Sequence, residues 1–152
     1  MSNSFRTRRD ILEASRRGDS LYSIYQRLEE SEVLLQEQQK SAFQLLFEIL
    51  IPSLTEEQSQ ELAKFPTESL EVYVTTLSLP IAQALSLFKG KELFFNGMQQ
   101  LDEETAKALS QWKGKELNLR GMQQLDEATT KALSQWKGNV LYLECLNSPK
   151  LL

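Results

Sequence analysis

Two hydrophobic periods occur along this chain, and each predicts a different secondary-structure element. In Leu117-Asn118-Leu119 and the equivalent segments, apolar residues alternate with polar ones, which indicates a half-buried strand. Elsewhere the apolar and small residues follow the spacing of an amphipathic helix, as they do at Leu101, Thr105, Ala108, Leu109 and Trp112. The pattern therefore predicts strands and helices in alternation.

One strand-and-helix unit is copied almost unchanged with a period of 24 residues. Residues 88–111 and 112–135 are identical at 18 of 24 positions, and a third copy opens at Trp136. Diverged helical segments at 54–65 and 77–88 match the same pattern and extend the array back to residue 52. We therefore predict an α/β protein in which residues 52–152 form about four strand–turn–helix units, the last one incomplete.

The ends of the predicted elements carry recurring residues. Helix N-caps are expected at Thr55, Ser78, Asp102 and Asp126. Left-handed helix ends are expected at Gly90, Gly114 and Gly138, and turns with positive φ at Gly97 and Gly121. The aromatic residues that end each helix predict a stacked ladder in the core, formed by Phe65, Phe88, Trp112 and Trp136. Inward-pointing strand residues are predicted at Leu93, Phe95, Leu117, Leu119, Leu141 and Leu143.

The repeat resembles the leucine-rich repeat family through Leu117-x-Leu119-x-Gly121-Met122-x-x-Leu125, and its length lies within that family's range. The resemblance covers residues 66–152 well and 52–65 loosely. The family has Asn or Cys after the strand, whereas this chain has Gly97 and Gly121, with Cys145 only in the last copy; we therefore expect an irregular, bacterial-type variant. The resemblance implies a solenoid with parallel strands on a concave face, helices on the convex face and a role in protein binding.

Residues 1–51 lack the repeat and predict three helices. The first runs from Asp10 to Arg17, the second is capped by Asp19 or Ser20, and the third begins at Ser31 and continues to just before Pro52. Because a terminal repeat needs a cover with a polar outer surface, we interpret this N-terminal helical region as a cap on the array.

An alternative for the same region is nucleic-acid binding. The string Arg6-Thr-Arg-Arg-Asp-Ile-Leu-Glu-Ala14 resembles the opening helix of TetR-type regulators, which implies a helix-turn-helix. Its candidate contacts are Arg6, Arg8, Arg9, Arg16 and Arg17. The would-be recognition helix carries Glu32 and Glu37 where phosphate contacts are needed, so we favour the cap.

The composition excludes several kinds of chemistry. The chain has no His and one Cys, which removes His-dependent acid–base catalysis, the usual zinc sets and an internal disulfide. Cys145 has no evident activating cation beside it, and paired carboxylates such as Glu103 and Glu104 fit the first turn of a helix. We therefore predict no enzyme activity, no metal, no cofactor and no small-molecule substrate.

Charge and hydropathy bear on location. The chain has 17 Lys plus Arg against 21 Asp plus Glu, and its first residues lead into charge. No apolar run approaches the ~20 residues of a membrane span. We therefore expect a cytoplasmic protein without membrane contact.

The differences between the two copied units indicate a binding surface. Three of the six differences are consecutive strand positions, at residues 94–96 and 118–120. The middle position stays apolar, whereas the flanking positions point outward and change in polarity or charge. The predicted contact residues are Phe94, Asn96, Asn118, Arg120, Tyr142 and Glu144, with Glu71 and Tyr73 in the preceding unit. We predict an adaptor or complex subunit whose partner is another protein or a second copy of the chain.

The last strand is the second predicted contact. The chain reaches Leu152 only a few residues into the segment equivalent to the previous helix, so we expect the strand around Leu141 and Leu143 to have an uncovered edge. We predict that residues 139–152 are covered by a partner through β-augmentation.

Overall fold

The computed structural model describes residues 4–122 and 125–143. Within these residues the chain is a mixed α/β protein with eight α-helices and one open, four-stranded parallel sheet, which confirms the predicted class. The elements are α1 Arg8–Arg16, α2 Leu21–Glu29, α3 Glu32–Gln38, α4 Ala42–Leu50, α5 Glu56–Glu61, β1 Ser69–Tyr73, α6 Leu79–Leu85, β2 Glu92–Asn96, α7 Glu103–Leu109, β3 Glu116–Leu119, α8 Glu127–Leu133 and β4 Val140–Leu143. Short 3₁₀ turns follow α4 at Ile51–Ser53 and α5 at Leu62–Lys64.

The strands lie side by side in chain order, β1-β2-β3-β4, and every neighbouring pair is parallel. The register keeps repeat-equivalent residues together, because Leu93 pairs with Leu70 on one side and Leu117 on the other. Each pair of strands is joined through a helix, as a parallel connection requires, and α5 to α8 pack against one another in the same order.

The inner face of the sheet carries the predicted apolar residues. Leu93, Phe95, Leu117 and Leu119 are buried, as predicted, while Leu141 and Leu143 on β4 are half-buried. These side chains join a single hydrophobic cluster that extends from Phe5 in the N-terminal helical region to Trp136. Burial of this cluster is the main source of stabilisation.

An aromatic ladder links the copied units. The indole N–H of Trp112 donates to the carbonyl oxygen of Phe88 at 3.1 Å, and that of Trp136 donates to the carbonyl oxygen of Trp112 at 3.0 Å. The two indole rings are stacked with centroids 5.8 Å apart and an angle of 4° between their planes. The predicted ladder is therefore confirmed for the tryptophans, whereas the ring of Phe65 contacts the rings of Tyr22, Tyr25 and Phe43 in the helical region.

The glycines after the ladder residues have a different role from the predicted one. Positive φ occurs at Gly97 (80°) and Gly121 (95°), as predicted for the turns, but not at Gly90, Gly114 or Gly138. The prediction of left-handed helix ends there is wrong. A Cβ on Gly114 would lie 1.9 Å from Cζ2 of Trp112, so glycine is required because the ring lies against its backbone.

The predicted helix caps are largely confirmed. Asp102 accepts a hydrogen bond from the backbone N–H of Thr105 at 2.8 Å, and Asp126 accepts one from Thr129 at 2.7 Å. Thr55 caps α5 and Ser20 caps α2. Ser78 occupies the N-cap position of α6, but its side chain makes no capping hydrogen bond.

The prediction of one long third helix in the N-terminal helical region is wrong, because the structure has two helices there, α3 and α4. Gln39 ends α3 with a left-handed φ of 54°, and the Ser41 side chain caps α4 by accepting from the backbone N–H of Gln44 at 3.1 Å. The break allows α4 to turn and pack against β1, an edge strand of the sheet. The stacked rings of Tyr25 and Phe43, 4.3 Å apart, connect α2 to α4.

Candidate functional site on the outer sheet face

The side of the sheet opposite the core, here called the outer face, carries the predicted contact residues that lie on the described strands. Alternation along each strand points every second residue to this side, where all the strand residues from β1 to β3 are half-buried. The register arranges them in three rows across the strands. The rows are Ser69–Glu92–Glu116–Val140, then Glu71–Phe94–Asn118–Tyr142, then Tyr73–Asn96, beyond which Arg120 follows β3.

The middle row brings together four predicted contact residues. Phe94 is paired with Glu71 on β1 and with Asn118 on β3, and Asn118 is paired with Tyr142 on β4. A half-buried aromatic ring therefore lies in the centre of the row, between a carboxylate and an amide. Such a ring offers apolar area to a partner without a large loss of side-chain entropy.

At each end of the outer face, a tyrosine side chain contacts a neighbouring charged residue. The guanidinium carbon of Arg120 lies 5.0 Å from the ring centroid of Tyr142, which is a cation–π contact, and the backbone N–H of Arg120 donates to Oδ1 of Asn118 at 3.0 Å. On β1, the hydroxyl of Tyr73 donates to Oε1 of Glu71 at 3.2 Å. Burial raises the pKa of the Tyr73 hydroxyl, which keeps it in the neutral, donating form. Glu144 lies outside the described residues.

A pair of carboxyl groups in the first row was not predicted as part of the site. Glu92 and Glu116 are direct partners across β2 and β3, which places their carboxyl groups next to each other on the outer face. The Ser69 hydroxyl donates to Glu92, and the Tyr142 hydroxyl donates to Oε1 of Glu116 at 3.4 Å. The sequence signal was available, because Glu92 lies two residues before Phe94 and alternation puts both on one face.

The two carboxyl groups titrate differently. Hydrogen bonds from Ser69 and with Glu116 lower the pKa of Glu92, whereas the hydrogen bond with Glu92 and the charge of that carboxylate raise the pKa of Glu116. Two neighbouring carboxylates repel each other, so Glu116 is the first of the two to take up a proton as pH falls. The pair is therefore a concentrated negative site that a positive group from outside would stabilise.

The arginines predicted as nucleic-acid contacts are divided by the structure. Arg8 lies 3.8 Å from Glu48 and donates to Gln38, and Arg17 donates to Asp19 at 2.9 Å. The other three candidates, Arg6, Arg9 and Arg16, are exposed. Two of the five candidate charges are thus directed at the protein's own side chains.

Other predicted chemistry can be located only in part. Among the described residues, no three His, Cys, Asp or Glu side chains are grouped so that they could hold a metal ion. Cys145 lies outside the described residues. None of the helices in the described part of the chain is long and apolar enough to cross a membrane.

Comparison with known proteins returned no relative from which a function could be transferred. No family model matches the chain, and neither the curated proteins nor the solved structures contain a match. The side chains of the outer face are therefore the basis for assigning a function.

Proposed function

We propose that this chain is a non-catalytic protein-binding module of the cytoplasm, an adaptor or a subunit of a larger assembly, and that its outer face contacts the partner. One observation carries the proposal. The copied strands differ in polarity at residues 94/118 and 96/120. Residues 94, 96 and 118 lie on the outer face, and residue 120 directly follows the end of β3. The inner residues between them, Phe95 and Leu119, remain apolar and buried. A surface adapted to a partner is expected to vary in this way within an otherwise copied unit.

The residue types on the outer face support binding. Phe94 and Tyr142 are half-buried aromatics, and Arg120 is exposed beyond its contact with Tyr142. Aromatic residues and Arg contribute disproportionately to the free energy of protein–protein association. Residues 71, 94, 118 and 142 form one continuous row, so the surface offered to a partner spans all four strands.

We propose further that the array is a leucine-rich-repeat-like solenoid and that residues 1–51 form its N-terminal cap. The chain order of the strands and the neighbouring order of α5 to α8 support stacked repeats. The packing of α4 against the edge strand β1 supports the cap, because it covers apolar surface at the start of the array.

The binding proposal is tested by replacing Phe94 and Tyr142 with Ala. We expect this double variant to bind the native partner ~1 to 4 kcal/mol more weakly, because two aromatic contacts are lost. The partner is first captured from the native host with the wild-type chain, and affinity is then measured by titration. Leu87→Ala, on a side chain that is 68% exposed outside the sheet, is the control and should bind normally.

Unfolding midpoints separate binding from stability in this experiment. Phe94 and Tyr142 are not part of the buried core, so the double variant should unfold close to the wild-type midpoint. Undiminished affinity in the folded double variant would contradict the proposed surface.

The alternative is a nucleic-acid-associated regulator, and the exposure of Arg6, Arg9 and Arg16 favours it. Binding through these arginines would be driven by phosphate contacts and would weaken steeply with salt. Titration with nonspecific duplex DNA at two salt concentrations tests this alternative, with Arg9→Glu/Arg16→Glu as the informative variant. Salt-dependent binding that this variant abolishes would favour the regulator over the adaptor.

A further inference from the structure

We propose that the outer face accepts a cationic segment of a partner protein, with a Lys or Arg side chain over Glu92 and Glu116 and an apolar side chain against Phe94. The inference rests on the proposed function, because it names the chemistry of the partner for the same surface. The inference rests on one arrangement: Glu92 and Glu116, which have like charges, are direct partners on neighbouring strands, and the half-buried ring of Phe94 lies beside them.

The pair is unfavourable for the isolated sheet. Like charges directly opposite each other on neighbouring strands destabilise a sheet, and here both copied units have Glu at the position. Within the described residues, the hydroxyls of Ser69 and Tyr142 donate to the two carboxyl groups and reduce the repulsion in part. An incoming ammonium or guanidinium group would remove the repulsion and make charge-assisted hydrogen bonds to both carboxylates.

The charges around the pair favour a cation over an anion. Glu71 adds a third carboxylate on the same face of β1. Lys91 is 3.5 Å from Glu68, and the guanidinium of Arg120 lies over the ring of Tyr142. An acidic segment would therefore face repulsion across β1 to β3.

The spacing of the two contacts specifies the segment. The row of Glu92 and the row of Phe94 are two residues apart along β2, which corresponds to ~6.5 to 7 Å. A Lys and an apolar residue at positions i and i+2 of an extended segment have the same spacing and point to the same side. The outer face therefore fits an extended segment in which Lys or Arg precedes or follows an apolar residue by two positions.

A synthetic peptide tests this inference on the intact chain. The probe is a fluorescently labelled Lys-Ser-Leu-Ser-Lys-Ser-Leu peptide, and the matched control peptide has Glu in place of each Lys. At neutral pH and low salt we expect fluorescence anisotropy to show at least tenfold tighter binding of the Lys peptide. Equal affinities, or tighter binding of the Glu peptide, would overturn the inference.

Two double variants assign the preference to the pair. Glu92→Gln/Glu116→Gln should lose the preference for the Lys peptide. Glu104→Gln/Glu127→Gln, which makes the same change in net charge at exposed helix positions, should retain it. A preference that survives in the first variant would overturn the inference, since general electrostatic attraction would explain it. Unfolding midpoints confirm that both variants are folded, and removal of the repulsion should not lower that of the first.

The pH dependence provides an independent readout. The pKa of Glu116 is raised, so the pair gains negative charge as pH rises through that value, while the Lys probe stays positive. Affinity for the Lys peptide should therefore increase with pH in the wild type and change less in Glu92→Gln/Glu116→Gln. The same pH profile in both proteins would contradict a contact with the pair.

The outcomes also separate this inference from the proposed function. If Phe94→Ala/Tyr142→Ala loses the native partner while the Lys peptide shows no preference, the cationic chemistry is wrong and the binding surface stands. If the double variant keeps its affinity for the native partner and the Lys peptide also shows no preference, both the proposed surface and its cationic partner are wrong. Sedimentation that shows self-association of the wild type, lost in Glu92→Gln/Glu116→Gln, would assign a second copy to the outer face and overturn the choice of partner.

Discussion

The N-terminal helical region and the copied units differ in the kind of contact that stabilises them. In the helical region each contact occurs once: Ser31 accepts from the backbone N–H of Phe5 at 2.7 Å and donates to the carbonyl of Arg27, and the rings of Tyr25 and Phe43 stack. In the copied units the contacts recur every 24 residues, as the Trp112 and Trp136 hydrogen bonds do.

This difference has a consequence for cooperativity. Each copied unit uses its neighbour for strand pairing and for the tryptophan ladder, so its stability depends on the units beside it. The first unit has α4 against β1 instead, and α4 itself has seven buried residues between Ala42 and Leu50. We therefore expect the stability of the array to depend on the helical region.

The largest effect is expected from removing residues 1–51. The deletion exposes apolar core residues such as Phe65, which packs against Tyr25 and Phe43, and leaves the β1 side of the array uncovered. The fragment 52–152 should lack a cooperative urea transition and should aggregate. A monomeric fragment that melts cooperatively would show that the array is stable alone.

The repeat explains why much of the fold could be predicted from the sequence. Two nearly identical segments fold into nearly identical local structures, so one strand, one Asp cap and one tryptophan contact predict the next. The helical region offers no such redundancy. The apolar register from Leu34 to Ile49 continues through the break between α3 and α4, and only the cap at Ser41 signals it.

Two glycines of one copied unit have different roles. Gly114→Ala should cost ~1 to 3 kcal/mol or more, because the new Cβ would overlap the buried Trp112 ring, which is fixed against Trp136. Gly121→Ala should cost only ~1 kcal/mol, since nothing lies near its Cβ and the strain comes from its φ alone. Urea unfolding of both variants measures the difference.

Substitution with Asn distinguishes the two mechanisms. Asn tolerates a positive φ better than Ala does, so Gly121→Asn should recover stability relative to Gly121→Ala. Gly114→Asn should recover none, because any Cβ meets the ring. Equal behaviour of the two positions would mean that Gly114 also serves a conformational role.

Comparison of the two copies identifies only part of the candidate site. Alternation predicted which strand residues share the outer face, and Phe94 and Asn118 do lie in one row. Comparison of the copies does not identify Glu92 and Glu116, because the residue is the same in both copies. Their significance depends on pairing across the sheet, which becomes evident only when the strands are in register.

The smallest predicted effect is the loss of helix-cap stability in the copied units at low pH. Their helices α7 and α8 are capped by the carboxylates of Asp102 and Asp126, whereas α2 and α4 in the helical region are capped by the hydroxyls of Ser20 and Ser41. The backbone N–H groups of Thr105 and Thr129 hold the pKa of Asp102 and Asp126 below the ordinary value of 3.8.

Because these pKa values are lowered on folding, the carboxylate caps stabilise the protein above the unfolded value and lose that contribution as pH falls through the folded one. Asn caps helices about as well as Asp but does not titrate in this range. Asp102→Asn/Asp126→Asn should therefore show a shallower loss of stability below pH 3.8 than the wild type when urea midpoints are measured across that range. Parallel pH profiles for the two proteins would mean that acid acts on other carboxylates, such as Asp10 and Asp19 of the helical region, whose pKa values are also lowered.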